Sequence, residues 1–233
     1  METHLKKHKT LYIVLGIIVL IIIGVVVAFT MPHSLGVRYT QADLKSVNNK
    51  LGISYATLSS SDSPKTSLKL EGQKPLNAQI TQEELTALLN QPSSQWKNYP
   101  VSNVQLKINP DGSVEMTGKI LAKRFSDYAE ATNMPQQYKS LIADNAKLVP
   151  LNPSFDYKGN YKITNGKLQG EMTELKVGPV EVPKDWTSNN KDFITGFVED
   201  RLSSAGMNVQ SATFTNGKLD IQGSVPETIS FEK

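Results

Sequence analysis

From Leu11 to Phe29 the chain reads LYIVLGIIVLIIIGVVVAF, nineteen residues without a charge. A helix rising ~1.5 Å per residue makes that run about 28 Å long, close to the ~30 Å hydrocarbon core of a bilayer. The run is rich in Ile and Val, mediocre helix formers in water. In lipid the backbone N–H and C=O groups have only one another, so helix is forced. Lys6, Lys7 and Lys9 precede the run, and only Arg38 and Lys45 follow it closely. Positive-inside bias therefore predicts a cytoplasmic N-terminus and an extracytoplasmic body after Thr30. The alternative is a cleaved signal peptide. Its apolar region is usually ~7–15 residues long and ends at a small-x-small site, which Val27-Ala28-Phe29-Thr30-Met31 does not supply. The expectation is a cell-membrane protein with a basic cytoplasmic tail at 1–10 and one uncleaved span at 11–30, anchored between Leu11 and Phe29. Gly16 and Gly24 are too far apart to form a GxxxG pairing face.

Composition narrows what the body can do. The chain carries a formal charge of +3, and without Lys6, Lys7, Lys9 and Glu2 the remainder carries about +1. No dense Lys/Arg cluster lies beyond the N-terminus, so the basic face that nucleic acid requires is missing. Arg38, Arg124 and Arg201 are the only arginines, which argues against a bidentate phosphate clamp. There is no Cys, which excludes thiol nucleophiles, thiolate metal sites, disulfides and an acylated lipoprotein cysteine. His4 and His8 precede the span and His33 lies just past it, leaving the body without imidazole. Ser–His–Asp, Cys–His and His-ligated zinc chemistry are thereby excluded, and no metal or cofactor is expected.

Residues 31–65 are expected to form a stalk. Gln41 to Lys50 has the makings of a short helix, but Ser59-Ser60-Ser61-Asp62-Ser63-Pro64 is a polar linker run. The folded body is expected over 66–233, long enough for one core. Thr81-Gln82-Glu83-Glu84 is a capping box, Leu85, Leu88 and Leu89 continue it as an apolar face, and Pro92 is expected to stop the helix. Val104, Leu106 and Ile108 then alternate with polar residues into the turn Asn109-Pro110-Asp111-Gly112, with Val114, Met116 and Ile120 on the return strand. The pentapeptide TNGKL closes two later hairpins, at Thr164 and at Thr215, by gene duplication or because Asn-Gly is the favoured two-residue turn. Helices are predicted over Pro135 to Asn145 and over Lys191 to Ser203, the second with Phe193, Ile194, Phe197, Val198 and Leu202 as its stripe and Gly206 near its cap. The fold class expected is α+β: after the transmembrane helix, a curved antiparallel sheet of hairpins packed on two or three helices.

Few residues suggest catalysis. Ser94-Gln95-Trp96-Lys97 matches S-x-x-K without its S-D-N and K-T-G companions, and the carboxylate pairs Glu83/Glu84 and Glu199/Asp200 sit on helices. The aromatics are more suggestive. Tyr157 and Tyr161 share a strand face, and Phe193 and Phe197 line a helix. They are either core residues or the walls of a groove between sheet and helix that holds an acyl chain. The groove candidates from alternation are Val104, Leu106, Ile108, Val114 and Met116 on the first hairpin. Phe155, Tyr157, Tyr161 and Met172 on the second, with Phe193 and Phe197 on the helix, complete the set; Met116 and Met172 suit an adaptable wall.

The segments ITQEELTALLN, VQLKINPDGSVEMTGKI and Gly178 to Trp186 (GPVEVPKDW), then a helix and a final hairpin, occur in that order. That order resembles small membrane-anchored bacterial proteins with tubular lipid-binding (TULIP-like) domains, over roughly residues 70 to 225. The resemblance implies a half-barrel sheet around a long helix, an apolar interior, lipid or another hydrophobic ligand as cargo, and no enzymatic residue. The expected function is a membrane-tethered, non-catalytic module that binds such a ligand, with no nucleic acid partner. The alternative is a structural or regulatory module whose sheet edge or face docks another cell-envelope protein.

Overall fold

The computed structural model describes residues 30–55, 68–95, 99–132, 134–137, 139–140, 152–189 and 191–231. The span Leu11 to Phe29 lies outside them, and among the described residues no helix is long and apolar enough to cross a membrane.

Helix α1 (Gln41–Leu51) opens on a capping box. The Thr40 hydroxyl accepts from the Asp43 amide at 3.3 Å, and the Asp43 carboxylate accepts from the Thr40 amide at 2.7 Å. Its Val47 and Leu51, with Ile53 just beyond, are buried in the main core. This part of the expected stalk is instead an integral piece of the body. Leu44, Val47 and Leu51 recur at helical spacing, a sparse apolar row among polar neighbours that is still enough to seat one face. The Ser-rich run lies outside the described residues.

Among the described residues eleven strands follow: β1 (Ser54–Tyr55), β2 (Leu68–Glu71), β3 (Lys74–Thr81), β4 (Val101–Ile108), β5 (Val114–Ile120), β6 (Ser154–Thr164), β7 (Lys167–Val177), β8 (Val180–Glu181), β9 (Asn208–Thr215), β10 (Lys218–Val225) and β11 (Thr228–Phe231). The helices after α1 are α2 (Gln82–Gln95), α3 (Phe125–Ala131), α4 (Lys184–Asn189) and α5 (Lys191–Ser204). The class is α+β, as expected. Only the start of the helix predicted over Pro135 to Asn145 is described, with the Lys139 amide bonded to the Pro135 carbonyl at 3.2 Å.

A small sheet, β1-β11-β2, joins the two ends of the body, β1 lying parallel to β11. The main sheet is antiparallel, in the order β3-β10-β9-β6-β5-β4, with β7 on β6 and β8 on β7. Strand β6 is its pivot. Strand β7 takes one edge of β6 from Phe155 to Thr164; the other edge is shared end to end by β5 (residues 154–159) and β9 (residues 162–164). Two hairpins thus leave one edge side by side, and the sheet curls around an apolar interior.

Both TNGKL turns have positive φ at Asn and Gly: 52° and 74° at Asn165 and Gly166, 45° and 78° at Asn216 and Gly217. That is the two-residue turn whose twist matches the strands it joins, so the repeated pentapeptide is accounted for by turn chemistry. The repetition in the topology is a different one. β3, α2 and the hairpin β4–β5 are matched by β6, α5 and the hairpin β9–β10, and each hairpin pairs with the other unit's strand.

The capping box at Thr81 forms: the Thr81 hydroxyl accepts from the Glu84 amide at 3.2 Å, and Glu84 accepts from the Thr81 amide at 2.8 Å. Pro92 does not stop α2, which runs on to Gln95. Only the last turn follows the proline, so the missing N–H removes one intrahelical bond where few remain to be made.

Helix α2 also seals the free edge of β4. Gln82 Oε1 accepts from the Ile108 amide at 3.1 Å, and Thr86 Oγ1 accepts from the Leu106 amide at 3.1 Å. Asn90 accepts from the Val104 amide at 3.0 Å and donates to the Val104 carbonyl at 2.7 Å. Four residues of helix rise ~6 Å and two residues of strand ~6.6 Å, so an i, i+4, i+8 row matches every second residue of the edge. The row stands in for a neighbouring strand and closes the curl between β4 and β3.

Candidate functional site: an apolar groove beneath α5

Helix α5 carries Ile194, Val198 and Leu202 in one row and Phe197 and Arg201 in the next. Phe197 rests on Ala129 and Met134 beside α3. Arg201 lies 5.9 Å from the centre of the Phe197 ring and donates to the Thr132 hydroxyl at 3.2 Å. On the other flank, Glu199 Oε1 accepts from the Leu168 amide of β7 at 3.0 Å. The helix ends on Gly206, φ 69°, with the Met207 amide on the Leu202 carbonyl and the Gly206 amide on the Ser203 carbonyl. Propped on α3 and clasped to β7, α5 packs Leu202 against the main core, and none of its described residues is fully buried.

Between the Ile194–Val198–Leu202 row and the sheet lies a cavity of about 380 Å³. Leu106, Val114 and Met116 wall it from the first hairpin, and Tyr157, Tyr161, Ile163 and Leu168 from β6 and β7. Val209, Ala212, Phe214, Leu219 and Ile221 of the last hairpin complete it. Lys162 borders it as well, but strand alternation turns its exposed side chain to the opposite face from Tyr161 and Ile163. The walls are otherwise apolar apart from two phenols. Tyr157 and Tyr161 stack with centroids 6.3 Å apart and share a hydrogen bond, which engages both hydroxyl oxygens with each other. Burial raises both phenols above the usual tyrosine value, Tyr157 far above it. The rings cross at Gly159, where a Cβ would lie 2.7 Å from the Tyr157 hydroxyl; glycine is required there by close approach.

Of the residues singled out from sequence, Leu106, Val114, Met116, Tyr157 and Tyr161 line the groove. Val104 and Ile108 are buried on β4, next to the α2 ladder, and do not line it. Phe155 is buried against Gly118 in the body of the sheet, and Met172 is half-buried on β7 away from the cavity. Phe197 packs on α3 instead, because a residue one step before Val198 faces about 100° away around the helix. The Phe193 side chain, like Leu11 and Phe29 and the Trp96-Lys97 half of the S-x-x-K match, lies outside the described residues. Sequence reasoning missed Ile194, Val198 and Leu202 as a wall, although their i, i+4, i+8 spacing was visible. The last hairpin was not among the candidates either, although its Val209, Leu219 and Ile221 line the groove.

One end of the groove opens into a polar mouth of about 480 Å³ that shares Ile163, Leu168, Leu202 and Val209 with it. Glu199, Ser203, Asn208 and the backbone around Gly166 and Gly206 complete the mouth. At ~30 Å³ per water-sized group the apolar chamber accepts about a dozen methylene-sized groups, and its volume falls in the ~300–1,000 Å³ range of ligand pockets. Among the described residues no three His, Cys, Asp or Glu side chains converge on a metal-sized site. No protein-family model, no curated protein and no solved structure matches the chain.

Proposed function

We propose that this protein is a membrane-tethered, non-catalytic extracytoplasmic module that holds the acyl chain of a lipid, or a hydrophobic ligand of that size, under α5. One observation carries the proposal: the Ile194–Val198–Leu202 row and the apolar sheet leave about 380 Å³ between them, although Leu202 packs on the main core. A solid core would close that gap, because interiors pack to crystal-like density. Burying about a dozen methylenes at ~0.8 kcal/mol each supplies ~10 kcal/mol, against association and ordering costs of about 4–15 kcal/mol. The balance is reversible holding, which suits a carrier. The span Leu11 to Phe29 belongs to the same proposal, since a tether keeps the groove at high effective concentration beside the bilayer. The TULIP-like resemblance contributes the cargo class.

The test is native mass spectrometry of the chain from Thr30 onward, which keeps α1 in place, released from cells without detergent. The expected spectrum shows a mass increment of one acyl-bearing molecule. A bare mass, together with a single protein partner captured by crosslinking in cells, would sink the lipid proposal in favour of envelope-protein docking.

A further inference from the structure

The mouth of the groove bears on the ligand's head group. Among the described residues Glu199 is the only charged one lining it, and no Lys or Arg does. The helix end there adds to the same sign. Ser203 and Gly206 belong to the C-terminal turn of α5, where the helix dipole places partial negative charge. Ser203 and Asn208 supply neutral hydrogen-bonding groups beside them. A carboxylate or phosphate head seated here would meet the Glu199 carboxylate and the helix carbonyl end; Arg201, the basic residue of that last turn, is turned to the Thr132 and Ser204 hydroxyls and does not line the mouth. An ammonium head would meet two favourable charges at once.

We propose, on the basis of the groove reading above, that the occupant is a single-chain amphiphile whose head carries a positively charged amine. Its tail lies between Val198 and Ala212, and its head sits at Glu199. Glu199 has two tasks in this arrangement, because its Oε1 also takes the Leu168 amide and holds α5 to β7. The carboxylate is exposed and solvent screens it, so its share is selectivity among heads, with the tail supplying the affinity.

The experiment uses the full chain in zwitterionic nanodiscs and three photoactivatable dodecyl probes, ending in a primary ammonium, a carboxylate or a glucoside. Labelling is read by mass spectrometry on peptides covering 194–202 and 209–221. The ammonium probe is expected to label these peptides about fivefold more than either other probe at low salt, as one exposed charge pair plus a helix end allow. Glu199→Gln, which keeps an acceptor for the Leu168 amide, is expected to lower ammonium labelling to the level of the glucoside probe measured on the same variant. Equal labelling by all three heads, or a carboxylate preference, overturns the head-group assignment while leaving the groove intact. Absence of labelling on these peptides by every probe overturns the groove itself.

Discussion

Helices α2 and α5 are each fourteen residues long and each feeds a hairpin of the same sheet, yet they meet that sheet in opposite ways. Helix α2 buries Glu84, Leu85, Thr86, Ala87 and Asn90, and bonds to the backbone of β4 through three side chains. Helix α5 buries none of its described residues and touches β7 through one carboxylate. Both sit in equivalent places in the two strand–helix–hairpin units. The difference lies in what each presents: α2 offers a polar row spaced to match a strand edge, and α5 offers an apolar row to an apolar floor. A bonded edge fixes the distance between helix and strand. An apolar row fixes none, and the props at Phe197 and Glu199 hold α5 away. One unit is therefore sealed, and its counterpart leaves a cavity beneath its helix.

The largest effect is expected where the sealed unit is cut. Asn90→Ala removes the partners of both the amide and the carbonyl of Val104, which are buried. At ~1–3 kcal/mol for each orphaned buried group, the variant should lose about 3 kcal/mol of stability in urea titration. The corresponding cut in the other unit, Glu199→Ala, should cost less than ~1 kcal/mol, since its bond is exposed. Equal losses would erase the distinction between the two helices.

Next comes a pH dependence centred on the α1–α2 contact at Glu84. The Glu84 side chain is almost fully buried and accepts from Lys50 at 2.7 Å, Ser46 at 2.5 Å and the Thr81 amide at 2.8 Å, tying α1 to α2. Burial alone would raise its pKa; the bonds from Lys50, Ser46 and Thr81 outweigh that and hold it below its usual 4.5. A carboxyl depressed on folding stabilises the protein fully above its unfolded value and loses that contribution as pH falls through the folded value. Wild type should therefore lose stability as pH drops below 4.5. Glu84→Gln should be ~1–2 kcal/mol less stable at pH 7, with the gap closing in acid, when melts are recorded across pH. A gap independent of pH would assign the loss to packing alone.

The same contrast explains what the sequence revealed. The Thr81 capping box, both Asn-Gly turns and the stripe of α5 were legible because each is written in consecutive or helically spaced residues. The ladder at Gln82, Thr86 and Asn90 was not, because polar residues at i, i+4, i+8 look like a solvated face until a strand edge is known to lie opposite. Helix α1 was taken for a stalk for a related reason: its apolar row is thin, and only the β1–β11 pairing shows that the segment after α1 meets the last strand. Alternation brought Leu106, Val114, Met116, Tyr157 and Tyr161 to the groove. It could not distinguish these from Val104 and Ile108, because a strand face has the same period whether a helix or a void lies above it.

A substitution that fills the void separates the two possibilities for the floor. Ala212 is buried on β9 and borders the cavity. In a packed core, enlarging it to Trp would cost about 1–3 kcal/mol through overpacking. With about 380 Å³ above it, Ala212→Trp should change stability by less than ~1 kcal/mol, while the acyl-bearing mass disappears from the native spectrum. Destabilisation with the ligand retained would mean that the space lies elsewhere.

The smallest change on stability should come from Ile194→Ala. Ile194 faces the cavity from above and is only half-buried, so truncation removes little contact that the protein makes with itself. The usual cost of a large-to-small change in a core is ~2–5 kcal/mol, part of it for the cavity created. Here the cavity already exists, and the loss in ligand-free protein should stay below about 1 kcal/mol. Leu85→Ala on α2, where the leucine is buried in the main core, should show the full core cost. With ligand bound the order reverses in one respect: Ile194→Ala removes about three methylene-sized groups from the wall and should weaken retention of the dodecyl probe roughly tenfold, whereas Leu85→Ala should not alter it once the protein is folded. The two variants measured side by side, for stability without ligand and for retention with it, decide whether α5 is a wall or a poorly seated piece of core.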